Sequence, residues 1–336
     1  MPITSVADQA RSYHLRQQHA QVKSDLTRLT QELASGQTSD MTRTLGGDYS
    51  ALAGIERSLR LTEAYRSAGA EAALVTSSAQ SALATVQAEL DQIGPSLLAA
   101  TGVGVSHEME IVAHSAGDRL NTAIAMLNQE VAGRALFSGT ATDTAPLITG
   151  DALLTQLAPL AAGATDAADL IAMLDSWFMD PGGGFETLAY QGGTGPAAGF
   201  SIAEGETVSN PLTALDPPLR KALMGMALAT LVSDGQGPPG DANTREMLEY
   251  AALQMIEGNE GITDMRADLG DVEARIEAAQ VRGDTARGLL ELERNALTSI
   301  DPYSVATQLQ EAETRLESLY LLTTRLTRLS LTEFMR

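Results

Sequence analysis

The stretch from Leu248 to Ile300, LEYAALQMIEGNEGITDMRADLGDVEARIEAAQVRGDTARGLLELERNALTSI, sets apolar or small side chains alternately three and four residues apart. The series runs Leu248, Ala251, Met255, Gly258, Ile262, Met265, Leu269, Val272, Ile276, Ala279, Gly283, Ala286, Leu290, Glu293, Leu297 and Ile300. A repeat averaging 3.5 residues is a coiled-coil seam, narrower than the apolar face of an ordinary globular helix. Such a seam needs a partner helix. Its weak points are Gly258, Gly283 and Glu293.

A matching arm lies near the other end. A helix is expected from about Tyr49 to Gly94-Pro95, roughly 45 residues and about 70 Å long, with a seam from Tyr65 and Ala68 through Ala72, Val75, Ala79, Ala82, Val86 and Leu90 to Ile93. Gly102-Val-Gly104 interrupts the pattern, and a further helix over 106–132 carries Met109, Val112, Ala116, Leu120, Ala123 and Leu127. These arms are expected to pack as an antiparallel bundle.

The two chain ends carry separate seams. A helix over residues 5–34 presents Leu15, His19, Val22, Leu26, Leu29 and Leu33, and Ser35-Gly36 supplies its left-handed cap. At Asp301-Pro302 the phase slips by one residue: Asp caps a helix and Pro suits its first turn. The new helix carries Val305, Leu309, Ala312, Leu316, Leu319, Thr323 and Leu326. The ends are expected to pair with each other or with neighbouring copies. With no other cover in the chain, residues 1–45 and 300–336 are expected to stay unfolded until assembly. Leu26, Leu29, Leu33, Leu316, Leu319 and Leu326 are the expected subunit contacts.

Between Gly133 and Gly240 Pro and Gly become frequent. One helix is expected at 151–178, short strands at Phe185–Tyr190, Phe200–Ala203 and Glu206–Ser209, and a helix at 215–232. The fold class is therefore mainly α: long antiparallel coiled-coil helices from both arms, with a small mixed α/β outer domain inserted. The expected division is a terminal assembly domain (1–45 with 300–336), a helical rod (46–145 with 241–299) and the outer domain (146–240).

Charge follows this division. The net charge is −21, yet residues 1–60 and 300–336 together hold eleven basic and eleven acidic side chains, so the entire excess falls on 61–299. Near-neutral ends can crowd against copies of themselves while an acidic middle stays soluble. The absence of a basic patch argues against nucleic acid. The chain is 44% hydrophobic but 4% aromatic, with Trp177 as its one tryptophan, which favours helices packed through small aliphatic residues. It has no cysteine, excluding disulfides and thiolate metal sites. The first residues form no apolar signal segment, and no stretch approaches a membrane span, so no membrane insertion is expected.

No catalytic constellation is present, and no enzyme and no cofactor are expected. His107 and His114 are two helical turns apart, too far to share a metal unaided. Gly193-Thr-Gly195-Pro-Ala-Ala-Gly199 lacks the dinucleotide spacing, and Ser138 lacks a nucleophile elbow. Glu257, Glu260, Asp264, Asp268, Asp271 and Glu277 read as the solvated side of a helix.

Several segments resemble bacterial flagellin and its relatives. Leu33-Ala-Ser-Gly36 resembles the L-x-S-G that closes the family's first helix; Arg266-Ala-Asp-Leu-Gly270 with Val272-Glu-Ala-Arg-Ile276 resembles its return-helix signature. Ser299-Ile-Asp301 is similar to the family's segment before the last helix, and Leu329-Ser-Leu331 with Phe334 to its closing residues. Arg134-Ala-Leu-Phe-Ser-Gly-Thr140, Pro146-Leu147 and Tyr190-Gln-Gly192 resemble the hook–filament junction members in particular. Thr42-Arg-Thr-Leu-Gly-Gly-Asp48 departs from the family pattern. The resemblance implies an axial structural protein, exported unfolded by the flagellar type III apparatus with an export chaperone, secreted, and located between hook and filament. Its implied partners are flagellin, the first hook-associated protein and copies of itself in a ring. A flagellin proper is the alternative; a cytoplasmic signalling coiled coil is disfavoured because the Gly/Pro-rich insert occupies the place of its helical tip.

Overall fold

The computed structural model describes residues 6–103 and 106–334, with side chains described over 10–102 and 109–325. The chain is mainly α, as expected. Its helices are α1 (Val6–Ser35), α2 (Met41–Thr44), α3 (Ser50–Val103), α4 (Ser106–His114), α5 (Ala116–Leu127), α6 (Gly150–Gly163), α7 (Ala167–Met179), α8 (Pro217–Ser233), α9 (Asp241–Thr298) and α10 (Pro302–Phe334). Two hairpins are added, β1 (Glu130–Val131) with β2 (Arg134–Ala135) and β3 (Phe200–Ala203) with β4 (Glu206–Val208). The chain forms two compact units, one of residues 1–62 with 285–336 and one of 63–284.

In the larger unit α3 and α9 run antiparallel along the two seams. Ala72 through Ile93 on α3 and Leu248 through Leu269 on α9 are buried at the seam positions, as are Ile276 and Ala279 further along. Polar rungs fix the register. Gln80 donates to Arg266 O (2.7 Å) while Arg266 Nε returns a bond to Gln80 Oε1 (3.0 Å), and Gln87 Nε2 reaches Thr263 Oγ1 (2.9 Å). A seam of Ala and Gly admits close backbones, and paired amides at its edge hold one alignment where aliphatic contacts alone permit slippage.

The helix α3 does not stop at Pro95. It continues to Val103, because Leu97 and Ala100 fall on the buried stripe and their burial outweighs the hydrogen bond that Pro removes. A Cβ on Gly94 would lie 3.2 Å from the Ile256 side chain and 3.5 Å from that of Met255, so the glycine lets α3 and α9 approach closely there. Gly104 lies outside the described residues. The single helix expected over 106–132 divides at Ser115 into α4 and α5, and α5 ends at Leu127, short of the expected 132, since Asn128 turns away to bracket Leu147 (2.9 Å to its N–H and to its carbonyl).

Past Leu127, the segment expected at 151–178 splits into α6 and α7. Asp166 accepts from Asp169 N (2.9 Å) and restarts the helix. Phe185–Ala189 is a short π-helical turn and not a strand: Phe185 and Ala189 are buried four residues apart, and the Phe185 ring lies tilted against Phe178 and edge-on to Trp177. The β3–β4 hairpin forms as expected and covers Ala72, Ile276 and Ala279 with Ile202 and Val208. Helix α8 is buried on all sides from Ala222 to Leu231, at the centre of the larger unit's core.

Candidate assembly surface

In the smaller unit α1 packs on α10, the first of the two pairings expected for the ends. The cover is thin. Among the described residues, the buried apolar side chains between the two helices are Leu29 (3% exposed), Val305 and Ala312, with Leu26, Ile300 and Leu309 half-buried around them. Of the six expected contact residues, Leu29 is inside this small core, and Leu26, Leu316 and Leu319 are half-buried. Leu33 is 38% exposed. The side chains of Leu326 and of the closing segment Leu329 to Phe334 lie outside those described.

Further along the pair the apolar surface opens out. A groove of about 460 Å³ between the helices is lined by Val22, Asp25, Arg315, Ser318, Leu319 and Leu322 among others. His19 meets Tyr320 edge-on at 5.1 Å. Leu319-Tyr320-Leu321-Leu322 is apolar around the helix circumference, and Tyr320, Leu321 and Leu322 stay more than half exposed. One partner helix covers one stripe, so α1 cannot satisfy this run alone. Three-four spacing picks out Leu319 but passes over Tyr320, Leu321 and Leu322; four consecutive apolar residues on a helix are the signal that reveals them.

The breaks at the two ends of this unit meet. Gln37 and Ser299 form an antiparallel bridge, Thr38 N–H donates to Thr298 O (2.9 Å), and Ile300 N–H to Gly36 O (3.1 Å). Gly36 closes α1 with φ +71°, as its position predicted, and Asp301 Oδ1 accepts from Tyr303 N (3.1 Å) at the start of α10.

Within the larger unit, three segments singled out in the sequence form one knot. Phe137, Ser138 and Gly139 are buried. Phe137 O accepts from Ala214 N (2.9 Å) and Ser138 O from Gly193 N (2.8 Å), while Gln191 N donates to Pro146 O (2.8 Å) and Leu147 bridges Tyr190. Ser138 Oγ is spent on Thr144 O (2.7 Å), a structural use. The Tyr190 hydroxyl donates to Gly193 O (2.9 Å). Burial, then the charge of Asp216, pushes its pKa up to about 12, so it stays a neutral donor at all ordinary pH. Asp216 itself is raised by burial, against a bond from Thr213 N–H and the charge of Arg220. Gly139 has φ +59°, and a Cβ there would lie 2.3 Å from Gly193 O. Gly139→Ala should therefore cost about 2–3 kcal/mol through left-handed strain and overlap, read as a lower denaturant midpoint at unchanged slope.

His114 is exposed, and the His107 side chain lies outside the described residues. No described helix is long and apolar enough to cross a membrane.

The solved relative with the stronger likeness of the two compared is a Vibrio parahaemolyticus protein provisionally described as flagellar hook-associated. It matches with a TM-score of 0.53 at 16% identity, over 73% of this chain and 95% of that one. Bacillus cereus FlgL aligns over 74% of this chain and all of its own length, at 14% identity and a TM-score of 0.49. At these identities the first likeness establishes a common fold. No protein-family profile and no curated protein sequence matches the chain.

Proposed function

We propose that this chain is a structural axial subunit of the bacterial flagellum and acts at the hook–filament junction, in the role of the third hook-associated protein. The observation that carries this is the terminal pair: its ends are charge-neutral, its apolar core among the described residues is three residues deep, and α10 carries a run, Leu319 to Leu322, that is apolar all round. A helix pair built this way gains its remaining burial from neighbouring subunits. The fold shared with the Vibrio protein supports the flagellar setting, and the knot of Phe137, Leu147 and Tyr190 is built from the segments that resemble junction members.

On this reading the protein is exported unfolded, with an export chaperone, and becomes extracellular. Copies of it form a ring that holds the first hook-associated protein on one side and flagellin on the other. Residues 1–45 with 300–336 form the assembly domain, 46–145 with 241–299 the rod, and 146–240 the displayed outer domain. Its role is non-enzymatic.

Deleting the gene tests the assignment. The expected result is a retained hook, with flagellin shed into the medium as monomer. Loss of the filament protein itself would make the chain a flagellin, and so would purified protein that grows into long filaments alone.

A further inference from the structure

The joint between the two chain breaks is closed by one carboxylate. Glu32, in the last turn of α1, is 4% exposed. Its Oε1 accepts both the Ser39 hydroxyl (2.6 Å) and the Ser39 N–H (3.0 Å), and its Oε2 accepts from Arg28 (3.1 Å). These bonds fold the chain back after Gly36 so that residues 37 and 38 lie along 298–300. A nearly buried carboxylate is costly unless its lone pairs are filled, and here three donors fill them. Neither the α1–α10 seam nor the exposed apolar run needs this group.

We propose that Glu32 is an acid-released latch. Its ionised carboxylate holds residues 37–39 against 298–300, and protonation frees this joint while the helices on either side remain formed. The charged groups around it are Arg28 on its own helix with Asp25 behind (3.6 Å), Asp40 and Arg43 on the connector, and Asp301 at the start of α10. Asp40 and Asp301 oppose the charge; Arg28 and Arg43 favour it. Burial alone would raise the Glu32 pKa, but the Ser39 bonds and then Arg28 outweigh it and hold the group below the ordinary carboxylate range. A carboxyl lowered on folding stabilises above its unfolded pKa, and that contribution is lost as pH falls through the folded one. The latch is thus shut at neutral and mildly acidic pH and opens in stronger acid. It belongs to the terminal unit whatever the chain assembles with.

Hydrogen exchange of the intact protein, read by mass spectrometry and corrected for intrinsic rates, tests this. At neutral pH Glu32→Gln should lower protection of the amides at 38, 39 and 300 about ten- to hundredfold, the loss expected for one or two charge-assisted hydrogen bonds. Wild-type protection there should fall similarly in acid, while Glu32→Gln shows no acid step. Amides of α1 between 22 and 30 and of α10 between 305 and 316 report opening of the terminal helix pair, and those of α3 between 82 and 93 report unfolding of the larger unit. Because the chain has no cysteine, Gln37→Cys with Ser299→Cys can close the joint by a disulfide; the oxidised form should stay protected at every pH. The latch is overturned if Glu32→Gln keeps wild-type protection, if it retains the acid step, or if the joint opens in acid only together with the α1 and α10 amides.

Discussion

Placing a charge at Leu29 should dissolve the terminal pair and abolish incorporation into the flagellum, while residues 63–284 stay folded. Leu29 is the largest of the three buried side chains between α1 and α10. A buried aliphatic side chain of this size contributes roughly 2–3 kcal/mol, and Val305 and Ala312 add less. Leu29→Asp removes that contribution and leaves a carboxylate facing an apolar seam, a combined cost of about 3–5 kcal/mol. The 30 residues of α1 and the 33 of α10 have little else to hold them, since isolated helices are marginal in water. Circular dichroism should show the helical loss, and limited proteolysis should trim the chain to a resistant core. Leu319→Glu separates pairing from assembly. Leu319 is half-buried in the groove beside exposed Leu322, so this variant should keep much of the terminal helicity and still fail to incorporate. Normal motility with Leu319→Glu would exclude the groove as a subunit contact.

The bundle was legible because a seam depends on spacing alone. Every position read from Ala72 to Ile93 is buried, and so is every one from Leu248 to Leu269. Legibility ended where distant parts of the chain decide a local question. Pro95 looked like a terminus, since nothing nearby in sequence reveals that Leu97 and Ala100 would be buried. Phe185–Tyr190 read as a strand because its composition favours one, but the rings of Trp177 and Phe178 select a helical turn that buries Phe185 and Ala189 together. The two breaks were each visible, through Gly36 and through Asp301-Pro302. Their union at Gln37 and Ser299 was not, because backbone pairing between residues so far apart leaves no mark in composition.

Gly258 marks the largest change of reading: a weak point in the seam becomes the place where two helices touch backbone to backbone. A Cβ on Gly258 would lie 2.8 Å from both Ala222 N and Pro218 O, and one on Gly225 would lie 2.6 Å from Ala251 O. Gly261 meets the Pro218 ring in the same way. α8 is buried on all sides from Ala222 to Leu231, although Pro217 and Pro218 in its first turn are not, so the helix can retreat only by disturbing the core around it. Gly258→Val should therefore destabilise the larger unit by about 3–5 kcal/mol, above the common range for overpacking because the clash is with backbone and not with a movable side chain. Helix propensity acts in the opposite direction and is smaller, about 0.5–1 kcal/mol in favour of a residue with a Cβ. Gly270, on the same helix, isolates that term: nothing lies within 4 Å of its would-be Cβ. Gly270→Ala should raise the melting temperature of the larger unit while Gly258→Val lowers it sharply. Calorimetry on the two variants reads both signs. Equal and small effects would mean that α8 and α9 are not in backbone contact in solution.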